Sequence, residues 1–407
     1  MTPASTHREA FRSNVLWEVF FVFLRLGITS FGGPVAHLGY FRAEFVERRR
    51  WLDETAYADV VALCQFLPGP ASSQVGFSLG LLRGGGLLGG LAASIAFTLP
   101  SAIILFAFAM GSAVFAGPLA EGLFHGLKLV AVSVVAQAIW GMARALAPDR
   151  QRAAIALGAM AIVVFAGGSF GQIAAILLGA LIGLWLCRSD GDPVPPGHPS
   201  FPVSRLSGAI ALALFGAFFV VPLLFAGTTG HGAINLFGAF YRSGALVFGG
   251  GHVVLPLLHA EVVQPGGVTD ETFLAGYGVA QAVPGPLFTF AAYLGAVMGT
   301  APNGIAGAVI ALVAIFLPGL LLVYGMLPFW DALRRRPAAK AAMRGTNAAV
   351  VGILGVALYN PVWTSAILNP RDFVFALTGF LLLTVWKTPS WVIVVLLSAS
   401  GALLGLM

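Results

Sequence analysis

The chain has few charged side chains and almost no cysteine. Only 9% of its 407 residues are Asp, Glu, Lys or Arg, against about 25% in ordinary soluble domains. This shortage excludes a solvated globular fold, and with 58% hydrophobic residues the bilayer is the expected main solvent. Cys64 and Cys187 lie in apolar surroundings without metal-ligand spacing, which argues against a disulfide framework and against a metal site.

Catalytic motifs are also missing. The sequence shows no Ser-His-Asp set, no phosphate-binding loop and no metal motif, so it predicts neither an enzyme nor a cofactor. The 22 basic residues exceed the 16 acidic ones, but in a membrane protein this excess mainly sets orientation, because basic loops stay in the cytoplasm. Nucleic acid is therefore not an expected partner, whereas the lipid bilayer is.

What the chain does have is thirteen apolar runs separated by short polar breaks. Each is close to the roughly 20 residues that a spanning helix needs. Six precede the polar, proline-rich stretch 188–204, one follows it, and six more complete the chain. The runs cover 15–34, 57–82, 87–115, 122–146, 152–168, 170–187, 206–226, 234–256, 272–298, 304–328, 341–359, 371–386 and 389–406.

This pattern predicts an all-α polytopic membrane protein made of two repeats. The predicted boundaries are 1–187 for the first repeat, 188–233 for a linker loop with a connecting helix, and 234–407 for the second repeat. Because the connecting helix is unpaired, the repeats should have inverted topology. The basic loops agree with a cytoplasmic N-terminus except for the stretch that holds Arg42 and Arg48-Arg49-Arg50. A first segment that forms a helical hairpin or re-entrant element would remove this conflict.

The repeat itself is visible in short matching motifs. Arg25 and Phe31-Gly32-Gly33 in the first half correspond to Arg242 and Phe248-Gly249-Gly250 in the second, 217 positions later. Glu44 corresponds to Glu261 at the same offset. With a one-residue gap, Gln65 and Pro68-Gly69-Pro70 correspond to Gln281 and Pro284-Gly285-Pro286. Internal repetition of this kind in a membrane chain is typical of secondary transporters.

An arginine in an apolar run is costly unless it is paired or faces water. Arg25 and Arg242 are therefore candidate ligands for an oxyanion, since the guanidinium donates two parallel hydrogen bonds. The alternative is a structural ion pair, with Glu44 and Glu261 as partners or as residues that couple transport to an ion. The glycine turns supply backbone amides for the same anion, although close helix packing also explains such glycines.

The Pro-Gly-Pro triplets must interrupt any helix, because proline lacks an amide donor. Each segment should therefore consist of two half-helices, whose free amides and positive dipole end attract anions. Gln65 and Gln281 would add a neutral donor and acceptor nearby. Lys128 aligns with Asn347, and both are candidates to line the anion path. The alternative for Lys128 is that its ammonium snorkels to the membrane interface. His37 and His252 are interpreted as satisfied polar residues, and the acids near Asp53 and Thr269 as helix caps.

Four of these motifs together resemble the chromate ion transporter family, in its long two-domain branch. They are the Phe-Gly-Gly-Pro34 turn, the Trp51-Leu-Asp-Glu54 segment, the Pro-Gly-Pro triplets and the Gly-Leu-Lys128 step. The second copy departs from the pattern, with Gly251 in place of Pro34 and Val268 in place of Trp51. The resemblance implies a multi-pass carrier of the bacterial inner membrane that expels chromate, uses an ion gradient and confers chromate resistance.

The expected ligand is therefore a tetrahedral inorganic oxyanion. The resemblance implies chromate, with sulfate as a competitor because both are tetrahedral dianions. A sulfate or other anion permease working inward and an anion channel are the alternatives. A homodimer is compatible with the sequence, which does not determine the oligomeric state.

Overall fold

The computed structural model describes residues 3–112, 117–188, 201–225, 232–334 and 336–405. Within these ranges it is helical and contains no strand, which confirms an all-α polytopic membrane protein. The helices before residue 188 are α1 (Pro3–Thr29), α2 (Gly33–Arg42), α3 (Glu54–Phe66), α4 (Ala71–Arg83), α5 (Leu87–Ser112), α6 (Pro118–Leu146), α7 (Arg150–Ala166) and α8 (Gly168–Leu186). The connecting helix is α9 (Arg205–Leu224).

The second half repeats this order. Its helices are α10 (Gly232–Ala245), α11 (Val254–Leu258), α12 (Asp270–Ala280), α13 (Phe290–Val297), α14 (Gly304–Met326), α15 (Trp330–Arg334), α16 (Pro337–Ala357), α17 (Thr364–Ala366), α18 (Pro370–Thr384) and α19 (Ser390–Gly405). Short π-helical turns extend α2 over Ala43–Arg48 and α11 over His259–Val263. Asp53 and Thr269 cap α3 and α12, as the sequence predicts.

Helices α1 and α2 form a hairpin whose tip is the first Phe-Gly-Gly turn. Phe23 of α1 stacks on Phe45 beyond α2 with ring centroids 5.0 Å apart. Further from the tip, Glu18 and Arg49 form an ion pair at 3.3 Å. Contacts between residues so distant on either side of the turn require antiparallel helices, so this segment returns to the side from which it enters.

Helices α3 and α4 form a second hairpin, with Pro68-Gly69-Pro70 at its tip. Arg83 at the end of α4 reaches Glu18 at 2.7 Å and lies over the ring of Trp51, which precedes α3. The open ends of both hairpins therefore meet at one place, here called the first-half base (Glu18, Arg49, Trp51 and Arg83). The prediction of two half-helices is confirmed, and they fold back on each other rather than continuing in one direction.

The second half builds the same pair of hairpins. Arg242 in α10 contacts Glu261 beyond α11, which makes α10 and α11 antiparallel around the second Phe-Gly-Gly turn. Gly299 after α13 donates its amide to the carbonyl of Gly267 before α12, at 2.9 Å. The tip of this fourth hairpin is Pro284-Gly285-Pro286.

The hairpins correct the count of membrane crossings. Four of the thirteen apolar runs turn back, which leaves nine apolar helices as candidates for crossing among the described residues: α5, α6, α7, α8, α9, α14, α16, α18 and α19. Six of the described helical stretches are long and apolar enough to cross a membrane by length and composition. The basic run Arg48–Arg50 now lies with Arg83 on the N-terminal side, so the exception to the charge rule disappears.

Five helices, α5–α9, separate the two pairs of hairpins. Because this number is odd, we infer that the second pair enters from the opposite side, which is the inverted arrangement expected from the sequence. The halves also exchange helices: α8 packs on α16, and α19 packs on α6. Glycines make these contacts close, since a Cβ on Gly183 would lie 2.7 Å from the Cα of Gly345.

Candidate functional site

The four hairpin tips meet at a single junction. Gly69 donates its amide to the carbonyl of Val247 at 2.7 Å, and Gly285 donates its amide to the carbonyl of Ser30 at 2.9 Å. These bonds are equivalent under the repeat: each Pro-Gly-Pro tip contacts the residue that precedes the Phe-Gly-Gly turn of the other half. The motifs that the sequence pairs within each half are thus brought together across the two halves.

The junction lies halfway along a crossing helix. A Cβ on Gly285 would lie 2.9 Å from Oγ of Ser101, which is 14 residues from Leu87 and 11 from Ser112 in α5. At about 1.5 Å per residue these distances are roughly 21 and 16 Å. On the other side of the junction, Gln74 donates to the carbonyl of Gly319 at 3.1 Å. The site is therefore near the midplane, where secondary transporters bind their substrates.

Backbone amides are the main donors at this junction. Helices α2 and α4 begin at the two first-half tips, and neither start has a side-chain cap. The helical turns that begin at Gly251 and Leu287 in the second half also lack one. Gly32 has a φ of 102° and Gly285 a φ of 97°, a region that favours glycine. Uncapped helix starts gathered in one place favour an anion.

The two repeated arginines have different environments. Nε of Arg242 donates to Glu261 at 3.1 Å, and its Nη2 contacts the second carboxylate oxygen, so the ion pair is bidentate. Arg25 is exposed and forms no ion pair among the described residues. Its expected partner Glu44 instead binds Arg49 at 2.6 Å and Arg48 at 3.1 Å. Among the described residues, an ion pair with the repeated glutamate is therefore present at Arg242 and absent at Arg25.

The connecting helix accounts for part of this difference. Pro222 of α9 packs against Gly238 of α10. A Cβ added to Gly238 would lie 2.6 Å from the Cβ of Pro222. The hydroxyl of Tyr241 donates to the carbonyl of Phe215, also in α9, at 3.0 Å. Helix α9 has no counterpart in the first half, so the corresponding face of α1, which carries Arg25, stays uncovered among the described residues.

The remaining predicted polar residues are not gathered at one point. Lys128 is buried in α6, and its ammonium pairs at 3.2 Å with Glu271 of α12, whose side chain is exposed. Oδ1 of Asn347 is buried without a hydrogen-bond partner and lies 3.6 Å from the Cβ position of Gly249. Gln65 is exposed on α3, and the backbone carbonyl of Gln281 accepts from Ser390 at 2.9 Å.

Three residues at the junction were not predicted from the sequence: Gln74, Ser101 and Gly319. A further repeat marks Ser101 and Gly319, because Leu99-Pro100-Ser101 and Leu317-Pro318-Gly319 occupy equivalent places in α5 and α14. These helices supply the walls against which the Pro-Gly-Pro tips pack. Phe31 is half-buried, and Phe248 packs on the core of the second half.

The family model described as chromate transporter matches residues 17–184 and 234–406. The chain belongs to the chromate transporter family. A chromate transport protein of Pseudomonas aeruginosa is 29% identical over 402 residues, covering 95% of this chain and 91% of that protein. A probable chromate transport protein of Synechococcus elongatus is 28% identical, covering 83% of this chain and 82% of its own length.

A transporter of Bacillus subtilis, YwrB, is 34% identical over 132 residues, which is 32% of this chain and 64% of that protein. No solved structure matches the chain. The two regions matched by the chromate transporter family model contain all four hairpins, so every tip at the junction falls within the family match.

Proposed function

We propose that this protein is a secondary transporter of a tetrahedral oxyanion, with chromate as the substrate and the hairpin junction as the binding site. The observation that carries the proposal is the junction itself, where uncapped helix starts from both halves meet at half depth. The chromate transport proteins to which the chain is similar support chromate as the ion. Residues 1–187 and 234–407 would form the two repeats, and 188–233 the connection.

The two halves differ in the packing of the helix that precedes each Pro-Gly-Pro tip: α12 is covered and α3 is exposed. Gly278 of α12 packs on α6, where its Cβ would lie 2.5 Å from the carbonyl oxygen of Leu127. The corresponding face of α3 is exposed, and it consists of small or polar side chains rather than the large apolar ones that lipid favours. These exposed residues are Glu54, Thr55, Ala58, Ala62 and Gln65.

In inverted repeats, such a difference means that one side is closed and the other open. The contact between α12 and α6, together with the Lys128–Glu271 ion pair, closes the second-half side. The uncovered face of α3 leaves an entrance on the side of the first-half base, which the basic loops assign to the cytoplasm. This state would load an anion from the cytoplasm of a bacterial cell, as chromate efflux and resistance require.

Arg25 is the proposed substrate arginine. Its guanidinium has no carboxylate partner among the described residues, and an unpaired arginine at membrane depth must face water or a ligand. An anion could accept two parallel hydrogen bonds from it. In Arg242 the same fork is already occupied by Glu261, so we assign Arg242 to the support of its hairpin.

Transport in membrane vesicles tests the function. Vesicles of both orientations would be loaded with labelled chromate or sulfate, with and without a proton gradient. A carrier saturates and shows counterflow, in which unlabelled anion on one side accelerates labelled anion on the other. Dissipation of a gradient without such stimulation would identify an anion channel instead, and net inward transport of sulfate would identify a permease.

A cross-link tests the second conformation. By the repeat, Ala62 corresponds to Gly278 and Thr346 to Leu127, so closure of the cytoplasmic side should bring Ala62 and Thr346 together. A protein with Ala62→Cys and Thr346→Cys, and with Ser at both native cysteines, should form a disulfide faster when a transported anion is present. Each single-cysteine protein is the control. Full transport with no cross-link under any condition would contradict this closure.

A further inference from the structure

The first-half hairpins enclose a buried polar cluster close to the junction. Each of its six members is at most 3% exposed, although all lie in membrane-embedded hairpins. The members are Ser30, His37, Ser72, Ser73, Gln74 and Ser78. Burial of polar groups costs free energy unless each finds a partner, so a cluster of this size calls for a reason.

The fold does not need this cluster. In the second half, Val247 stands in place of Ser30, Val254 in place of His37, and Phe290 in place of Gln74. Those side chains are fully buried as well and form the same hairpin geometry. The polar cluster is therefore an addition to the first half, and it lies on the side that is open.

His37 contacts two members of the cluster, and one of these contacts is at the hydrogen bond that joins the two halves. Its Nε2 lies 3.2 Å from the carbonyl oxygen of Ser30, and its Nδ1 lies 3.4 Å from Oγ of Ser72. The same Ser30 carbonyl accepts the amide of Gly285 at 2.9 Å. Because the carbonyl is only an acceptor, Nε2 carries the hydrogen, which leaves Nδ1 of the neutral ring as an acceptor.

We propose that His37 is a proton-binding site coupled to anion binding at the junction. The inference rests on the proposed function, because it names the ion that accompanies the oxyanion. On protonation, Nδ1 gains the hydrogen and donates to Oγ of Ser72, while Nε2 keeps its bond to Ser30. Oγ of Ser30, Oγ of Ser73 and Oε1 of Gln74 are buried without hydrogen-bond partners, so the same hairpins carry further acceptors.

A proton fits this cluster better than a metal cation. Among the described residues, no group of three or more His, Cys, Asp or Glu side chains has the spacing of a metal site. An unperturbed histidine changes charge between pH 5 and 8, which serine and glutamine do not. Among the described residues, no charged side chain forms a hydrogen bond or an ion pair with the ring. The charged residues from Glu18 onward on the hairpin helices and turns packed around it are Glu18, Arg25, Arg42, Glu44, Glu47, Arg48, Arg49, Arg50, Asp53, Glu54, Asp59 and Arg83, and the other titratable residues of α3 are Tyr57 and Cys64.

Protonation and anion binding should favour each other. A charge on His37 lies beside the Ser30 carbonyl and one helical turn from the first Phe-Gly-Gly turn, so it attracts a dianion at the junction. Binding linkage is reciprocal, so the anion must also favour the proton. Sulfate is the suitable probe because it remains a dianion across this pH range. We expect sulfate affinity to rise about tenfold from pH 8 to pH 5.5.

The experiment measures proton uptake when sulfate is added to purified full-length protein in weakly buffered solution. The wild type should take up a proton, and His37→Gln should take up none and bind sulfate with an affinity independent of pH. His252→Gln is the matched control, because His252 lies beside the second Phe-Gly-Gly turn and is bonded to Tyr277 at 2.8 Å, although it is half-buried rather than fully buried. It should behave as the wild type. Unchanged proton uptake in His37→Gln, or a requirement for Na⁺ in its place, would overturn the proposal.

Two further measurements separate this inference from the proposed function. If the wild type binds neither sulfate nor chromate, the transport proposal fails, and nuclear magnetic resonance of ¹⁵N-histidine then decides the question for His37 alone. A ring signal that is absent in His37→Gln and does not titrate between pH 5 and 9 would refute proton binding. Ser72→Ala, which keeps the imidazole but removes an acceptor, should move the midpoint of that titration to lower pH.

Discussion

Removing Arg242 should destabilise the protein, whereas removing Arg25 should stop transport. The Arg242 and Glu261 side chains are 15% and 12% exposed and form a bidentate pair. Breaking a buried pair by removing one partner costs about 3–5 kcal/mol, because the other charge is left uncompensated. Partial exposure places Arg242→Ala at the lower end, about 3 kcal/mol. Arg25→Ala removes no partner and should cost less than about 1 kcal/mol.

Thermal unfolding of the detergent-purified protein, followed by size-exclusion chromatography, measures the difference. The midpoint of Arg242→Ala should fall by roughly 5 °C or more, and Glu261→Gln should show a similar loss. The double variant Arg242→Met with Glu261→Leu should lose less than the sum of the single losses, since it leaves no unpaired charge. Arg25→Ala should melt close to the wild type and yet fail in chromate counterflow.

Arg25 and Arg242 are equivalent in sequence, but we expect them to have unequal roles. If both alanine variants melted as the wild type and both abolished transport, the ion pair would carry no stability and Arg242 would belong to the anion site. Lysine at position 25 should restore transport poorly, because an ammonium cannot reproduce the bidentate fork.

Three other outcomes follow from the junction and the topology. Gly285→Ala should weaken anion binding and cost about 1–3 kcal/mol, since its Cβ would lie 2.9 Å from Ser101 Oγ at a φ of 97°. Gly141→Ala, where the space is open, is the control, and equal effects on chromate affinity would argue against a tight tip contact. Lys128→Met should free α12 from α6 and make the protein leak or slow its turnover, as vesicle efflux would show; unchanged kinetics would leave the ion pair without a role in closure. Terminal reporter fusions should place the N-terminus in the cytoplasm and the C-terminus outside, with loop 48–50 also cytoplasmic; labelling of that loop from outside would exclude the re-entrant hairpins.

Local chemistry explains what the sequence predicted correctly. The low content of charged residues and the long apolar runs predict a membrane protein, because the preference of each side chain for water or lipid is a property of the residue itself. The Pro-Gly-Pro triplets determine a break in the helix wherever they occur, since the missing amides are a property of proline itself. The repeat was visible for a similar reason: matching motifs at a constant offset need no tertiary information.

Tertiary contacts decided the rest. Whether a broken segment continues or turns back depends on bonds such as Arg83 to Glu18, whose partners are 65 positions apart. Arg25 and Arg242 share a motif, but α9 packs only on the helix that carries Arg242. Glu44 pairs with Arg49, so it does not pair with Arg25 as Glu261 pairs with Arg242. His37 lies at the junction because the Ser30 carbonyl that it contacts also accepts the amide of Gly285, in the other half of the chain. A repeated sequence supplies equivalent side chains, but the environment of each is set by residues that only folding brings near.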